Sequence, residues 1–162
     1  MLYYSLVYTH LNYCISTWGG ITKTALNPIF ILQKKVIRIM TNSSFDSSSR
    51  PIFCELNILP LHLIYKFSLA TLMHKIHNGK IPAPPQLNLI ENIHGYNTRL
   101  SKQQNYYQNF NRLNVGQFSY ISKGIKIWKD VPENLKKLPL HVYKKKMKDC
   151  FLEILNDSTQ SY

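Results

Sequence analysis

Two histidines one helical turn apart, His74 and His77, are spaced so that they could share a metal ion. Such a site needs at least one more ligand. No third ligand stands nearby in the sequence, and no Glu follows the zinc-protease pattern. We therefore interpret both as ordinary surface or half-buried histidines, and we expect neither a metal site nor a cofactor.

The acidic residues are too few and too scattered for catalysis. The chain has eight Asp and Glu in all, whereas acid–base catalysis needs carboxylates paired in a cleft and two-metal catalysis needs close aspartates. The sequence also lacks a Gly-rich phosphate loop, a nucleophile elbow and a Cys-x-x-Cys motif. These observations predict a chain with no catalytic residues, no enzymatic activity of its own and no small-molecule substrate.

Basic residues are the chemistry that this sequence does supply. It has 20 Lys and Arg against 8 Asp and Glu, which gives a formal net charge of +12. Residues 99–148 carry most of this excess, because they include twelve basic residues and only two acidic ones, Asp130 and Glu133. Such an excess favours polyanions, most often nucleic acid or an anionic membrane surface. The alternative is a basic protein with no such partner.

Three groups of basic residues are candidate phosphate contacts. They are Lys34, Lys35 and Arg38; then Lys123, Lys126 and Lys129; then Lys144, Lys145, Lys146 and Lys148. In the last group the lysines precede the acids of the same helix, an order that opposes the helix dipole and weakly favours a role toward a partner. The alternative for the first group is a solvated surface on which the side-chain stems cover apolar neighbours.

A fourth candidate is the stretch KQQNYYQNFNRLN, which is rich in Asn, Gln and Tyr. Aromatic rings between basic residues are the combination that stacks on bases and holds phosphates. The candidates here are Arg99, Lys102, Tyr106, Tyr107 and Arg112, with Phe110 among them. The alternative is a partly ordered loop whose aromatic rings pack into the core.

Compartment is indicated by two further features. No window approaches the run of about 18 apolar residues that a spanning helix needs, and the N-terminal stretch lacks the basic region of a signal peptide. The three cysteines are far apart and odd in number, which favours reduced thiols over a disulfide framework. We expect an intracellular chain, cytoplasmic or nuclear, that is neither secreted nor transmembrane and has no membrane partner.

The elements that must position these residues are helices. Tyr3, Val7, Leu11, Cys14 and Trp18 form the apolar stripe of a first helix, which Gly19-Gly20 ends. Asn27-Pro28 is a helix start, and the second helix runs to about Met40. Its predicted inner face is Ile29, Leu32, Val36 and Met40.

Four more helical segments follow. We predict helices over residues 51–55, 61–77 and 118–128 and from Leu138-Pro139 onward, the last with Tyr143, Met147, Cys150 or Phe151, and Ile154 inside. The predicted inner stripe of 61–77 is Leu61, Ile64 or Tyr65, Leu69 (or Ser68), Leu72 and Ile76, and that of 118–128 is Phe118, Ile121, Ile125 and Trp128. Pro82, Pro84 and Pro85 mark a stiff linker.

No strand pattern of any length occurs. The sequence thus predicts a small, irregular all-α domain of about five to seven helices with a Pro-rich linker between two lobes. The expected divisions are a helical lobe at 1–80, the linker and polar, aromatic loop at 81–116, a basic helical lobe at 117–157 and a frayed tail at 158–162.

Five landmarks along the chain carry a family resemblance. The segment LVYTHLNYCISTWG, Leu6 to Gly19, resembles one found just after the polymerase core in the reverse transcriptases of non-LTR retrotransposons, the jockey-like mobile elements. The family commonly has Ser and Gly where Thr9 and Cys14 stand here. The later landmarks occur in the same order: LQKKVIRI from Leu32, LNILPL from Leu56, YNTR from Tyr96, and GIKIW from Gly124 with Val131-Pro132.

The resemblance spans nearly the whole chain and implies a role. It implies the helical, thumb-like C-terminal region of a reverse transcriptase, which in the family is expected to hold the primer–template duplex and element RNA near the palm. The palm aspartates that hold metal in the family are missing from this sequence. The expected partners are therefore RNA or DNA, bound without strong sequence preference, and the missing palm.

Two alternatives remain open at this stage. The chain opens in the middle of a helical pattern with no capping residue, so we expect it to be the tail of something longer. As such it is either a nucleic-acid-contacting fragment of a reverse transcriptase, or else a non-functional relic or a structural fragment that only packed against a missing polymerase core.

Overall fold

The computed structural model describes residues 2–93 and 105–157, and over these residues the protein is all-α. The predicted fold class is confirmed. Ten α-helices and one π-helix occur there, and the one β-type pairing among the described residues is an isolated bridge between Leu89 and Tyr106. The elements are π1 (Tyr4–Tyr8), α1 (Thr9–Asn12), α2 (Ile15–Trp18), α3 (Lys23–Met40), α4 (Ser49–Glu55), α5 (Leu61–His77), α6 (Ile90–Ile93), α7 (Asn114–Phe118), α8 (Tyr120–Asp130), α9 (Glu133–Lys136) and α10 (Leu140–Asp157).

The chain divides into two compact units. Unit 1 comprises Met1–Phe67 and Lys145–Tyr162, and unit 2 comprises Ser68–Lys144. Helices α5 and α10 each contribute residues to both units. The division into lobes that the sequence suggested stays a prediction.

The first helical stripe is not one helix. It is divided into π1, α1 and α2 because Tyr13 is extended (ψ 117°) and Cys14 is left-handed (φ 49°). The break shifts the register, so that Ile15 is buried and Cys14 is exposed. The indole nitrogen Nε1 of Trp18 donates to the carbonyl oxygen of Tyr13 at 2.8 Å and closes the break.

Gly19 ends α2, as predicted, and also permits a close contact. A Cβ at this position would lie 2.5 Å from the Cδ2 atom of Tyr65, a distance that real Cβ atoms do not reach. The backbone of Gly19 itself is ordinary, with a φ of −68°. Glycine is therefore required here by the approach of α5 rather than by an unusual backbone conformation.

Helix α3 begins a turn earlier than the Asn27-Pro28 signal predicted. Thr22 is its N-cap, and the Thr22 hydroxyl accepts a hydrogen bond from the Ala25 amide at 3.4 Å. Pro28 consequently lies inside the helix. The true inner face holds Gln33 and Ile37, whereas Leu32 and Met40 of the predicted face are 60% and 41% exposed.

Hydrogen bonding decides which face of α3 is buried. Apolar residues lie on most sides of this helix, so the stripe alone does not choose a face. Gln33 is 1% exposed. Its amide nitrogen donates to the Tyr3 hydroxyl at 2.8 Å and to the Leu59 carbonyl oxygen at 3.0 Å. Its amide oxygen accepts from the Leu61 amide at 2.8 Å. One buried side chain thereby joins three segments of unit 1.

Helix α5 has the predicted bounds, Leu61–His77. Its predicted inner stripe is largely buried, and burial extends around most of its circumference to Leu63, Ala70, Met73 and His74. The chain before it is also buried, from Ile58 to Pro60. Helix α5 therefore supplies buried residues to each of the two units.

Helices α8 and α10 mostly bury the apolar stripes that were predicted for them. The predicted 118–128 helix is interrupted at Ser119, whose hydroxyl caps α8 by accepting from the Ser122 amide at 3.2 Å. Ile125 and Trp128 are buried as predicted. In α10 the buried residues are Tyr143, Met147, Phe151 and Leu155, a strict four-residue spacing. That spacing leaves Ile154 57% exposed, so its predicted core position was wrong.

Candidate nucleic-acid interface

The basic residues of α3 lie beside aromatic rings of unit 1. The Lys34 Nζ lies 4.3 Å from the centre of the Phe30 ring, and Lys35 Nζ and the Arg38 guanidinium lie 5.9 and 6.0 Å from that of Phe45. Such contacts hold a cation in place without neutralising it. Lys35 is exposed and Lys34 is half-buried, so both remain candidates for phosphate contact.

Arg38 has a structural role as well. Its Nε and Nη2 atoms both donate to the Ser47 carbonyl oxygen, at 3.0 and 2.8 Å, and the side chain is half-buried. This pair of bonds fixes the loop after α3. Arg38 is therefore a weaker candidate for phosphate contact than the two lysines.

The Lys144–Lys148 group divides in two. Lys144, Lys145 and Lys146 are exposed. Lys148 is half-buried, donates to the Tyr4 hydroxyl at 3.2 Å and lies 5.6 Å from that ring centre. Lys148 therefore anchors α10 to π1 within unit 1, and three lysines remain open to solvent.

On α8 the row of three lysines also separates. Lys126 and Lys129 are exposed, whereas Lys123 is half-buried with Nζ 5.2 Å from the centre of the Phe118 ring. All three lie outside the core. Lys126 additionally lines a cleft described below.

Tyr106 does not fit the role predicted for it. Its ring is 7% exposed, its hydroxyl is 3.2 Å from Nδ1 of His77, and burial raises its pKa to about 12. A buried ring cannot stack on a base, so for this residue the alternative of packing into the core is correct. Tyr107 is 41% exposed and Arg112 is exposed. Arg99 and Lys102 lie outside the described residues.

A polar cleft in unit 2 was not predicted. It consists of two adjoining cavities of about 310 and 130 Å³ that share Asn109, Asn111 and Ser122. Other lining residues are Gln86, Tyr107, Gln108, Phe110, Gly116, Gln117, Ser119, Ile121, Ile125 and Lys126. The Asn and Gln content of residues 102–114 is the sequence signal that could have indicated it, whereas the contribution of α8 is visible only in the structure.

Asn111 sets the shape of this cleft. Its Nδ2 donates to the Ser122 hydroxyl at 2.9 Å and to the Gly116 carbonyl oxygen at 3.4 Å. The Gln117 side-chain amide in turn donates to the Asn111 carbonyl oxygen at 3.0 Å. These bonds tie the loop to α7 and α8, so the amide side chains of the cleft project from a fixed frame.

His74 and His77 of α5 contact aromatic rings of unit 2, and His74 is buried whereas His77 is half-buried. His74 is 1% exposed, stacks on Tyr143 with ring centres 4.0 Å apart, and has Nε2 2.9 Å from the Leu138 carbonyl oxygen. Its Nδ1 has no partner among the described residues. Within residues 2–93 and 105–157 no group of three or more His, Cys, Asp or Glu is placed to hold a metal ion.

Burial of His74 predicts a pH-dependent stability. Desolvation lowers its pKa below the ordinary 6.5, with Lys80 and His77 nearby acting in the same direction and the Leu138 carbonyl opposing them. The unfolded chain therefore binds a proton more readily, so stability is full above about pH 6.5 and falls as the pH decreases below it. The urea midpoint should be lower at pH 5.5 than at pH 7.5.

The matched variant for this prediction is His74→Phe, which keeps an aromatic ring and removes the titration. Its urea midpoint should change less between the two pH values than that of the wild type. Some dependence should remain, because the pKa of His62 is also lowered by desolvation. An unchanged pH dependence in His74→Phe would contradict the assignment to His74.

Lys136 is a buried lysine that sequence reasoning missed. It is 3% exposed, with Nζ donating to Asn105 Oδ1 at 3.2 Å and lying 5.2 Å from the centre of the Trp128 ring. Desolvation lowers its pKa. It therefore belongs to the polar core of unit 2, and the count of basic residues overstates the charge presented to a polyanion.

Unit 1 also presents an apolar groove of about 220 Å³ formed by π1 and α3. Leu6 and Ile39 are 61% and 78% exposed there. The groove is lined by Leu2, Tyr3, Leu6, Val7, Val36, Ile39 and Met40. Exposed apolar side chains in one concave patch are typical of a surface that contacts another macromolecule.

Comparisons with protein-family models, with curated proteins and with solved structures give no match. Among the helices of the described residues, none is long and apolar enough to cross a membrane.

Proposed function

We propose that this chain is the C-terminal, thumb-like region of a retrotransposon reverse transcriptase, and that it supports binding of RNA or DNA without catalysing a reaction itself. The motif resemblance supplies the family. The observation that carries the binding role is the set of exposed lysines on α8 and α10, namely Lys126, Lys129, Lys144, Lys145 and Lys146.

The physics of these side chains suits a polyanion. Lysine amines on helix surfaces neutralise phosphates and release condensed counterions, which gives an affinity that depends on salt and little on sequence. The net charge of +12 adds attraction at longer range. A region that holds many different primer–template sequences requires this kind of binding.

Fluorescence anisotropy with labelled RNA, RNA–DNA hybrid and duplex DNA of about 30 nucleotides tests the proposal. The folded chain should bind all three at about 50 mM salt with micromolar or tighter Kd, and competitors of scrambled sequence should be equally effective. Absence of binding at that salt concentration, with circular dichroism showing a folded chain, would contradict it.

The apolar groove of unit 1 favours a second function, packing against a polymerase core. The segment that lines one side of the groove, around Leu6, is the one that resembles the stretch following that core. Burial of Leu6 and Ile39 in such a contact would remove two large apolar side chains from water, a favourable change of about 1.5–3 kcal/mol each. Under this alternative the basic charge has no binding role.

The double variant Leu6→Glu and Ile39→Glu separates the two functions. It should reduce binding of a hydrophobic dye and any self-association of the chain, because it places charge in the groove. It should leave stability nearly unchanged, since both side chains are mostly exposed. Sedimentation velocity and dye fluorescence measure these effects, and unchanged dye binding would exclude the groove as the exposed contact surface.

A further inference from the structure

We infer that the polar cleft of unit 2 binds an unpaired nucleobase, so that the nucleic acid preferred at this site is single-stranded. The inference rests on the proposed function and specifies one of its ligands. The cleft combines three features that base recognition requires: an exposed aromatic ring, amide side chains on a fixed frame, and a cation at the rim.

Phe110 is the aromatic surface. Its side chain is 91% exposed while lining the larger cavity beside Lys126. An apolar ring of this size is costly to leave in water. Base–aromatic stacking is a sequence-tolerant contact because every base has a flat face. Among the described residues no other ring stacks on Phe110, so its face is open to a base.

Amide groups supply the polar contacts. Gln108 and Asn109 line the cleft, and no side-chain hydrogen bond engages either one among the described residues. The Asn111 and Gln117 nitrogens are engaged, whereas their side-chain oxygens accept no hydrogen bond within the described part of the chain. Amides present donors and acceptors together, which matches the mixed edges of all bases.

Size and charge agree with this ligand. The larger cavity, about 310 Å³, lies within the roughly 300–1,000 Å³ typical of small-ligand pockets, and Lys126 at its wall can reach the phosphate beside an inserted base. A base within a duplex is stacked and paired, so it cannot enter a pocket of this kind without being flipped out. The cleft therefore favours single strands, bulges and unpaired ends.

Phe110→Ala is the decisive variant. Loss of one stacking contact should weaken binding of a 12-nucleotide single-stranded RNA about 5-fold or more. Affinity for a blunt duplex should be unchanged. The salt dependence of binding should also be unchanged for the single strand and for the duplex, because no charge is removed. Phe110→Tyr should restore single-strand affinity. The matched control is Tyr13→Ala, which removes another exposed aromatic ring outside the cleft and outside the candidate groups of basic residues.

A 2-aminopurine base placed in the RNA gives a direct readout. Its emission should change on binding to the wild type and to Phe110→Tyr, and should change much less with Phe110→Ala. Equal single-strand affinity and equal emission change for wild type and Phe110→Ala would overturn the inference and leave the proposed function intact. Failure of the wild type to bind any nucleic acid would overturn both.

Discussion

Replacing Gln33 with Ala should destabilise the protein by about 3 kcal/mol or more, the largest stability effect that we expect from one side chain. Each buried polar group left without its partner costs about 1–3 kcal/mol. The change removes the partners of the Leu59 carbonyl, the Leu61 amide and the Tyr3 hydroxyl at once. Urea denaturation followed by circular dichroism measures it.

Two controls separate hydrogen bonding from packing. Gln33→Met keeps nearly the same volume without the hydrogen bonds, and it should be almost as destabilising as Ala. Leu32→Ala, one residue earlier on a 60% exposed side chain, should change stability by less than about 0.5 kcal/mol. If the free energy of unfolding of Gln33→Ala were within about 1 kcal/mol of the wild-type value, Gln33 would not be the residue that determines which face of α3 is buried.

Reversing the charge of three neighbouring lysines on α10, Lys144, Lys145 and Lys146, should weaken binding of nucleic acid at least about tenfold at 100 mM salt. The variants to Glu replace three phosphate contacts with three repulsions. Circular dichroism should show an unchanged fold, because all three side chains are exposed. Anisotropy titrations on RNA and duplex DNA give the affinities.

The control for this triple variant has the same net charge. Lys23, Lys66 and Lys80 are exposed lysines outside the candidate groups, and changing all three to Glu lowers the total charge by the same amount. This control should lose much less affinity than the α10 variant. Equal losses would show that overall charge, rather than the α10 group, drives association.

The helical fold was predictable because its signals are local. Apolar spacing placed α5 at its observed bounds, and it identified Trp128 and Tyr143 as core residues. The face of α3 was not predictable, since it depends on hydrogen bonds from Gln33 to segments about thirty residues away. The break at Cys14 was not predicted either, because no residue type other than glycine marks a left-handed backbone position in a sequence.

The candidate interface was predictable in outline and not in detail. Residue type identified the basic groups, and it could not distinguish Lys146, which is exposed, from Lys136, which is buried beside Trp128. The aromatic rings between basic residues led us to predict nucleic-acid contacts in the stretch KQQNYYQNFNRLN. The structure alone shows that Tyr106 packs inside while Phe110 stands in solvent. Burial of that kind depends on distant partners that a linear pattern does not contain.

The most direct test of the nucleic-acid proposal is the salt dependence of binding by the whole chain. If the five exposed lysines of α8 and α10 each contact one phosphate, a plot of log K against log salt should be linear, with a slope of about −3.5 on single-stranded RNA and about −4.5 on duplex DNA. A slope near zero, or no binding at 50 mM salt by a folded chain, would contradict the account and favour packing against a polymerase core.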